Sequence, residues 1–412
     1  MHKLFIVLLL FPWIIKGQSI TPWQEGFLDI HHINTGSGNS TFFVFPDGST
    51  MLLDAGDVER SAKTRINNPL KIAPRLPDST FSAAQSITEY LVRAPPAATQ
   101  IDYAVITHFH PDHYGAIGPL SKTSRYGSYK LSGITEVHEY LPIKKLIDRN
   151  YSGYKYPLDI AKNNFDSDTF KNYLNFIQHH ANRKSFSVEA MKAGSKTQIT
   201  LLHKPAKYPF FHVRNIKSNG NIWTGEGDGS TNVLPASISR NLYNENPLSM
   251  AFKISYGAFD YFTGGDMTGI TGFGVPAWFD VETPVANVVG TVDAMTLNHH
   301  GMRDASNEFF LKTLAPRVIV QQSWSSNHPG EEVLHRIISP TTYEGPRDIF
   351  ATYVHSETIT TYGRWLTDNF KSIRGHIVIR VLHGGSEFMV YILDDTKRDL
   401  PIVKTFGPYP SK

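Results

Sequence analysis

Short apolar runs bounded by glycine, proline and asparagine alternate along this chain with longer stretches whose apolar residues return every third or fourth position. The first pattern predicts strands and the second amphipathic helices. Residues 27–34 (FLDIHHIN) and 42–45 (FFVF) read as strands separated by the glycine-rich turn TGSGNST. Pro46-Asp47-Gly48 then turns the second run into TMLLDAGD as a hairpin. A helix is expected at 82–92, and DYAVITHFH (102–110) is an apolar strand running into a histidine-rich loop. Residues 140–184 read as polar and helical; FKNYLNFIQHHANRK is the clearest amphipathic piece, with His179 and His180 on its solvated side.

QITLL (198–202) and FFHVRNI (210–216) are expected strands, and SNGNIWTGEGDGSTN (218–232) a loop. SMAFKISYGAFDYFTGGD (249–266) gives two strands turning at Tyr256-Gly257, and VDAMTLNHHG (292–301) a strand ending in two histidines. A helix through SNEFFLKTLAP, a buried strand in RVIVQQS, and a loop with a short helix in WSSNHPGEEVLHRI follow. GHIVIRVLHGGSEFMVYILDD (375–395) is a hairpin about Gly384-Gly385. No repeat or low-complexity linker breaks the alternation, so residues 18–412 are expected to form a layered α/β domain.

Composition changes the picture at three points. MHKLFIVLLLFPWIIKG (1–17) has a basic start and a short apolar run, the shape of a signal peptide that would send the protein to the periplasm or the medium. No later run is long enough to suggest stable membrane insertion. Removing it takes Lys3 and Lys16 from 40 Lys+Arg, leaving 38 against 37 Asp+Glu, a net charge of +1. So balanced a chain is not built to grip duplex nucleic acid broadly. Cysteine is absent, so disulfides are excluded and any zinc-type site must use His, Asp or Glu.

THFHPDHYG (107–115) carries such residues at high density. Side chains two apart on extended backbone share a face, so His108 and His110 can converge on one ion. Beyond the Pro111 bend, Asp112 and His113 can reach a second position close by. Neutral imidazoles with a carboxylate suit Zn²⁺ when thiolates are absent, with Mn²⁺ as the alternative.

H-x-H-x-D-H after a strand resembles the signature of the metallo-β-lactamase superfamily, hydrolases on a four-layer αβ/βα sandwich that hold one or two metal ions. LLDAG, with Asp54, resembles the family's supporting aspartate; YFTGGD places Asp266 as its metal-bridging carboxylate; VDAMTLNHHG supplies His299 or His300 as the last ligand. The order of Gly36-Ser37-Gly38-Asn39, Asn244-Glu245-Asn246 with Ser249, and Asn327-His328-Pro329 resembles the ComEC-like branch of DNA-uptake competence proteins. What the resemblance implies is a metal set of His108, His110, Asp112, His113, Asp266 and, as the first residue off its strand, His299. Asp54 would support that set from behind, and Asn246 or Ser249 would face the metals without binding strongly. Many members place another histidine where this chain has NENPLS, so the position built on His108, His110 and Asp266 is one ligand short.

The expected chemistry follows. Zinc lowers the pKa of bound water from 15.7 to about 7, which makes hydroxide available at neutral pH. Asp112 would orient it, and His300 and His328 would contact substrate or protonate the leaving group. The expectation is a secreted metal-dependent hydrolase acting on a phosphodiester, either small or a single-stranded oligonucleotide. Hydrolysis of a lactone, thioester or β-lactam is the alternative, and a non-catalytic binding module on the same fold the alternative of another class. Residues 140–231 are expected to shape the substrate entrance.

Overall fold

The alternating runs become two nine-stranded mixed sheets in the computed structural model, which describes residues 18–58, 69–94, 96–163, 166–181, 183–270, 272 and 274–412. The apolar run read as an export signal lies outside the described residues. Among the described residues no helix is long and apolar enough to cross a membrane.

One sheet is formed by β1 (Leu28–His32), β2 (Thr41–Val44), β3 (Thr50–Leu53), β4 (Ile101–Val105), β5 (Ile143–Asp148) and β6 (Ser187–Ala190), with β16 (His376–Val381), β17 (Glu387–Leu393) and β18 (Ile402–Pro410) returning from the C-terminal part. The other holds β7 (Phe211–Ser218), β8 (Asn221–Trp223), β9 (Ser230–Asn232), β10 (Ala251–Tyr256), β11 (Phe259–Thr263), β12 (Ala294–Thr296), β13 (Val318–Gln321), β14 (Asp348–Ala351) and β15 (Phe370–Ser372). Their orders are β18-β17-β16-β1-β2-β3-β4-β5-β6 and β15-β14-β13-β12-β11-β10-β7-β8-β9. Each sheet is antiparallel on one side and parallel on the other, the change falling at β3 and at β11.

Period-2 alternation sorts the strand residues between faces. Ile30, Phe43, Met51, Leu53 and Val105 face Val213, Phe252, Ile254, Tyr261 and Val320 in a core between the sheets. Phe42, Val44, Leu52 and Ala104 face outward onto the helices Ala83–Arg93, Gly133–Tyr140 and Ser167–His180. Phe262, Met295 and Ile319 do the same against Glu282–Val289, Glu308–Leu314 and Glu331–Ile338. The layers therefore run helix, sheet, sheet, helix, as the motif resemblance implied. Each large apolar side chain so buried contributes about 1.5–3 kcal/mol.

Local differences have local causes. The stretch read as helical contains β5, whose Leu146, Ile147 and Asp148 are all buried, so its parallel, covered position erases the alternation a strand would show. QITLL forms no strand: the Thr200 amide donates to the Tyr103 hydroxyl and the Leu202 amide to Ser49 Oγ, while Ile199 and Leu201 fill the inter-sheet core. The expected loop at 218–232 contains the short strands β8 and β9, the second at the sheet edge. His180 is buried, with Nε2 2.8 Å from the Tyr129 hydroxyl. The Phe170 and Tyr173 rings of the helix Ser167–His180 lie 4.8 and 5.6 Å from Phe109 and support the histidine loop from beneath.

Candidate metal centre

Parallel strands of both sheets end at one edge, and the chemistry-bearing loops follow those ends. Asp54 comes directly after β3, Thr107 to His113 after β4, Gly264 to Asp266 after β11, and the two histidines after β12. Carboxyl ends of parallel strands are where α/β proteins place ligands.

The histidine loop is clamped by backbone. Asn39 N donates to Asp112 O (2.8 Å), Ala55 N to His113 O (2.8 Å) and Asp57 N to Pro111 O (3.0 Å). This approach explains a glycine: a Cβ on Gly56 would stand 1.8 Å from the Asp112 carbonyl oxygen. Asp54, buried and at φ 60°, accepts from Thr107 N (2.8 Å) and Thr107 Oγ1 (2.9 Å), and from His113 Nδ1 at 2.7 Å. That last bond fixes the tautomer, so His113 Nε2 faces the centre with a lone pair to give.

Asp266 is the meeting point. Its backbone N donates to Ser249 Oγ (3.1 Å), and a Cβ on Gly265, at φ 55°, would meet Thr107 at 2.8 Å. His113 Nε2 lies 3.0 Å from its Oδ1; His108 Nε2 and His300 Nε2 lie 3.7 and 3.5 Å from its Oδ2. His300 Nε2 is also 2.9 Å from Asp112 Oδ2, while its Nδ1 donates to the Gln322 carbonyl (3.0 Å). Two groups of potential ligand atoms result, each with all members within 4.8 Å: Asp112, His113, Asp266 and His300, and then His108, His110 and Asp266.

The sequence put His299 ahead of His300 as the ligand; the structure instead brings His300 into the four-residue group. Strand alternation does not extend past Thr296, because His299 and His300 both take left-handed backbone (φ 47° and 55°), which re-aims each ring. His299 Nε2 is 3.8 Å from Asp266 Oδ2 and accepts from Asn246 Nδ2 (3.1 Å); its Nδ1 is 2.7 Å from Asp304. His328 stacks on His300 at 4.8 Å and 12°, and Trp324 Nε1 donates to His300 Nε2 (3.4 Å). His328 thus touches the group through His300. Ser249 acts on the Asp266 backbone, and Asn246 on His299.

Charge supports a cation here. Asp54, Asp112 and Asp266 are pulled into one small volume with little water. Burial pushes the Asp266 carboxyl up, but His113, His300 and His299 together hold it well below the usual range. Burial works against protonated His300, yet Asp266 and Asp112 raise it to about 9. His108 is pushed well below the ordinary imidazole value by burial and by the charge of His113. Protons on the imidazoles and a divalent cation compete for the same lone pairs. His113 Nε2 and Asp266 Oδ1 are buried, face each other at 3.0 Å and have no other hydrogen-bond partner, an arrangement that a cation would satisfy. The residues present fit the group.

Several contributors were not legible in the sequence. Fully buried Arg149 pairs with Glu245 of the Asn244-Glu245-Asn246 run, whose Oε2 accepts from Phe109 N (3.0 Å) in the middle of the histidine loop. Lys217, also buried, donates from Nζ to Pro247 O (2.6 Å) and Ser249 O (2.9 Å). The only signal for either was a charge inside an apolar pattern. Asp304 and Trp324 carried none. A cavity of about 360 Å³ is lined by Asp57, Arg75, Ser82, Lys122 and Glu136 among others, and by none of the clustered histidines.

Comparison with known proteins agrees with this geometry in part. Residues 33–178 match the model of the metallo-beta-lactamase superfamily. No curated protein matches the chain. Among solved structures, a single-residue mutant of the CmlA beta-hydroxylase aligns at 12% identity and TM-score 0.38, over 88% of this chain and 55% of its own. The chain thus spans about half of that protein. A Parabacteroides distasonis protein provisionally assigned as a metal-dependent hydrolase aligns at 10% identity and TM-score 0.36, covering 82% of this chain and 97% of that one. A diphosphatase of the PhnP family aligns at 10% identity and TM-score 0.29, over 71% and 85%. The match to the metallo-beta-lactamase superfamily model thus covers residues 33–178, within a mixed α/β fold of two large sheets.

Proposed function

We propose that this protein is a metal-dependent hydrolase acting on phosphodiesters. The observation that carries the reading is the convergence of Asp112, His113, Asp266 and His300, beside a second group that shares Asp266. A divalent ion bound there would lower the pKa of water and polarise a substrate oxygen.

The chain's own residues supply position. Asp54 and the Gln322 carbonyl set the tautomers of His113 and His300, so both present Nε2 inward. Asp112, the most open carboxylate of the set with its side chain 14% exposed, faces incoming solvent and substrate. His328 and Trp324 pack against His300 and limit its movement. Two adjacent cation positions sharing a carboxylate suit a phosphoryl group, whose attacking and leaving oxygens both gain charge. The balanced charge of the chain favours a small diester or a short single strand over duplex.

The test is metal analysis together with a substrate panel. Protein loaded with Zn²⁺ or Mn²⁺ should cleave bis-p-nitrophenyl phosphate and leave nitrocefin and a simple lactone largely intact, and Asp266→Asn should lose at least a hundredfold in rate. Cleavage of the lactone or of nitrocefin alone would move the substrate class. Failure to take up any metal would leave a binding module on this fold.

A further inference from the structure

The two groups around Asp266 are unequal. One offers four residues and the other only His108, His110 and Asp266. First-row divalent ions in nitrogen and oxygen sites take four ligands or more. What stands beside the poorer group is therefore informative.

Asn246, in the turn Asn246–Leu248, approaches it through His299, whose Nε2 lies 3.1 Å from Asn246 Nδ2 and 3.8 Å from Asp266 Oδ2. Its neighbour Glu245 accepts from Phe109 N, the amide between His108 and His110. Ser249, three residues on, accepts from Asp266 N. The loop bearing Asn246 is thus bonded to both segments that supply the three donors. The orientation of its amide is also fixed. His299 Nδ1 is 2.7 Å from Asp304 Oδ1, and an ionised carboxylate only accepts, so that nitrogen carries the hydrogen. Asn246 turns its Nδ2 toward His299 Nε2, at 3.1 Å. The remaining atom, Asn246 Oδ1, is buried and has no hydrogen-bond partner. An acceptor held in place at such cost is unusual in a native protein.

We propose that Asn246 Oδ1 is the further donor to a divalent cation at His108, His110 and Asp266, with His299 and Asp304 as positioning residues. This rests on the metal-dependent reading of the site. A neutral amide oxygen is a weaker donor to zinc than an imidazole, and it moves the preference of this position toward Mn²⁺. The two ions then differ in affinity: the ion at Asp112, His113, Asp266 and His300 is the tighter, and the one facing Asn246 exchanges more readily.

The full chain, stripped with chelator and titrated with Mn²⁺ or Zn²⁺ by calorimetry, with Mn²⁺ electron paramagnetic resonance reading ion–ion coupling, tests this. Wild type should bind two ions in separate steps. Asn246→Leu should weaken the second step tenfold or more and leave the first unchanged. Asn246→Asp, which puts a carboxylate oxygen in the same place, should tighten the second step, and Asp304→Asn should weaken it severalfold. Two-ion binding by Asn246→Leu indistinguishable from wild type would overturn the assignment, with water alone meeting Oδ1. Equal weakening of both steps by Asn246→Leu and Asn246→Asp would overturn it too, as a general structural role. A single ion in wild type that Asn246→Asp does not increase would sink this inference and spare the proposed function; no metal in any protein would sink both.

Discussion

His299 and His300 are adjacent, alike in chemistry, and given different tasks by two left-handed backbone conformations. Each costs about 1–3 kcal/mol for a residue with a Cβ, so neighbours must hold them. They do: His299 N donates to Gly265 O (3.1 Å) and Gln321 Nε2 to His300 O (2.9 Å). The result turns one ring to Asp304 and Asn246 and the other to Asp112. His300→Ala should therefore weaken metal binding at the Asp112–His113–Asp266 group at least tenfold, whereas His299→Ala should retain that ion, as metal content after dialysis would show. The reverse pattern would return the ligand role to His299. The dense motif made His108, His110, Asp112 and His113 legible, because their spacing on one strand end forces convergence whatever the distant fold does. The choice between His299 and His300 was not legible, since it depends on two φ angles set by Gly265 and Gln321. Arg149, Lys217 and Asp304 were hidden for a related reason: each finds its partner far along the chain or across a turn.

At the scale of elements, the helix Glu282–Val289 does more than cover β11 and β12. Its first residue, fully buried Glu282, accepts from Asn298 Nδ2 (2.6 Å), Ser306 N (2.6 Å) and Asn307 N (2.7 Å), tying the helix to both ends of the turn that holds the two histidines. Burial raises the Glu282 carboxyl from 4.5 to about 7, partly opposed by those three donors. The folded state then binds this proton more tightly than the unfolded chain does. The contribution is greatest below pH 4.5, fades as pH rises to about 7, and is gone above that. At 1.36 kcal/mol per pKa unit, the swing is on the order of 3 kcal/mol. Urea unfolding of chelator-treated protein should thus show a steeper loss of stability across this window in wild type than in Glu282→Gln; parallel curves would refute it. Elements were legible where alternation or a cap survived, as in the helix Ala83–Arg93, with Ser82 and Gln85 closing its first turn. They were hidden where both faces of a strand are covered, as in β5, or where side chains take the place of a partner strand, as at Ile199 and Leu201.

The whole molecule is two sheets, each bringing half of the site to the same edge. His108, His110, Asp112 and His113 follow β4 of one sheet, and Asp266 and His300 follow β11 and β12 of the other. At this edge the contacts across the seam include buried charged groups, such as His113 with Asp266 and His300 with Asp112. A cation there would bind the native arrangement only, because unfolding separates its ligands by more than 150 positions of chain. Ligand linkage then sets the size of the effect: about 2.7 kcal/mol of added stability when the free ion stands at one hundred times its Kd. Chelation should accordingly lower the thermal midpoint by several degrees, and Zn²⁺ or Mn²⁺ should restore it. Asp266→Asn, which keeps the size of the side chain but not its charge, should melt at one temperature with or without metal. A wild type that melts identically in chelator and in metal would show that the seam is held by its apolar core alone. The convergence of the four residues would then be geometry without a bound ion.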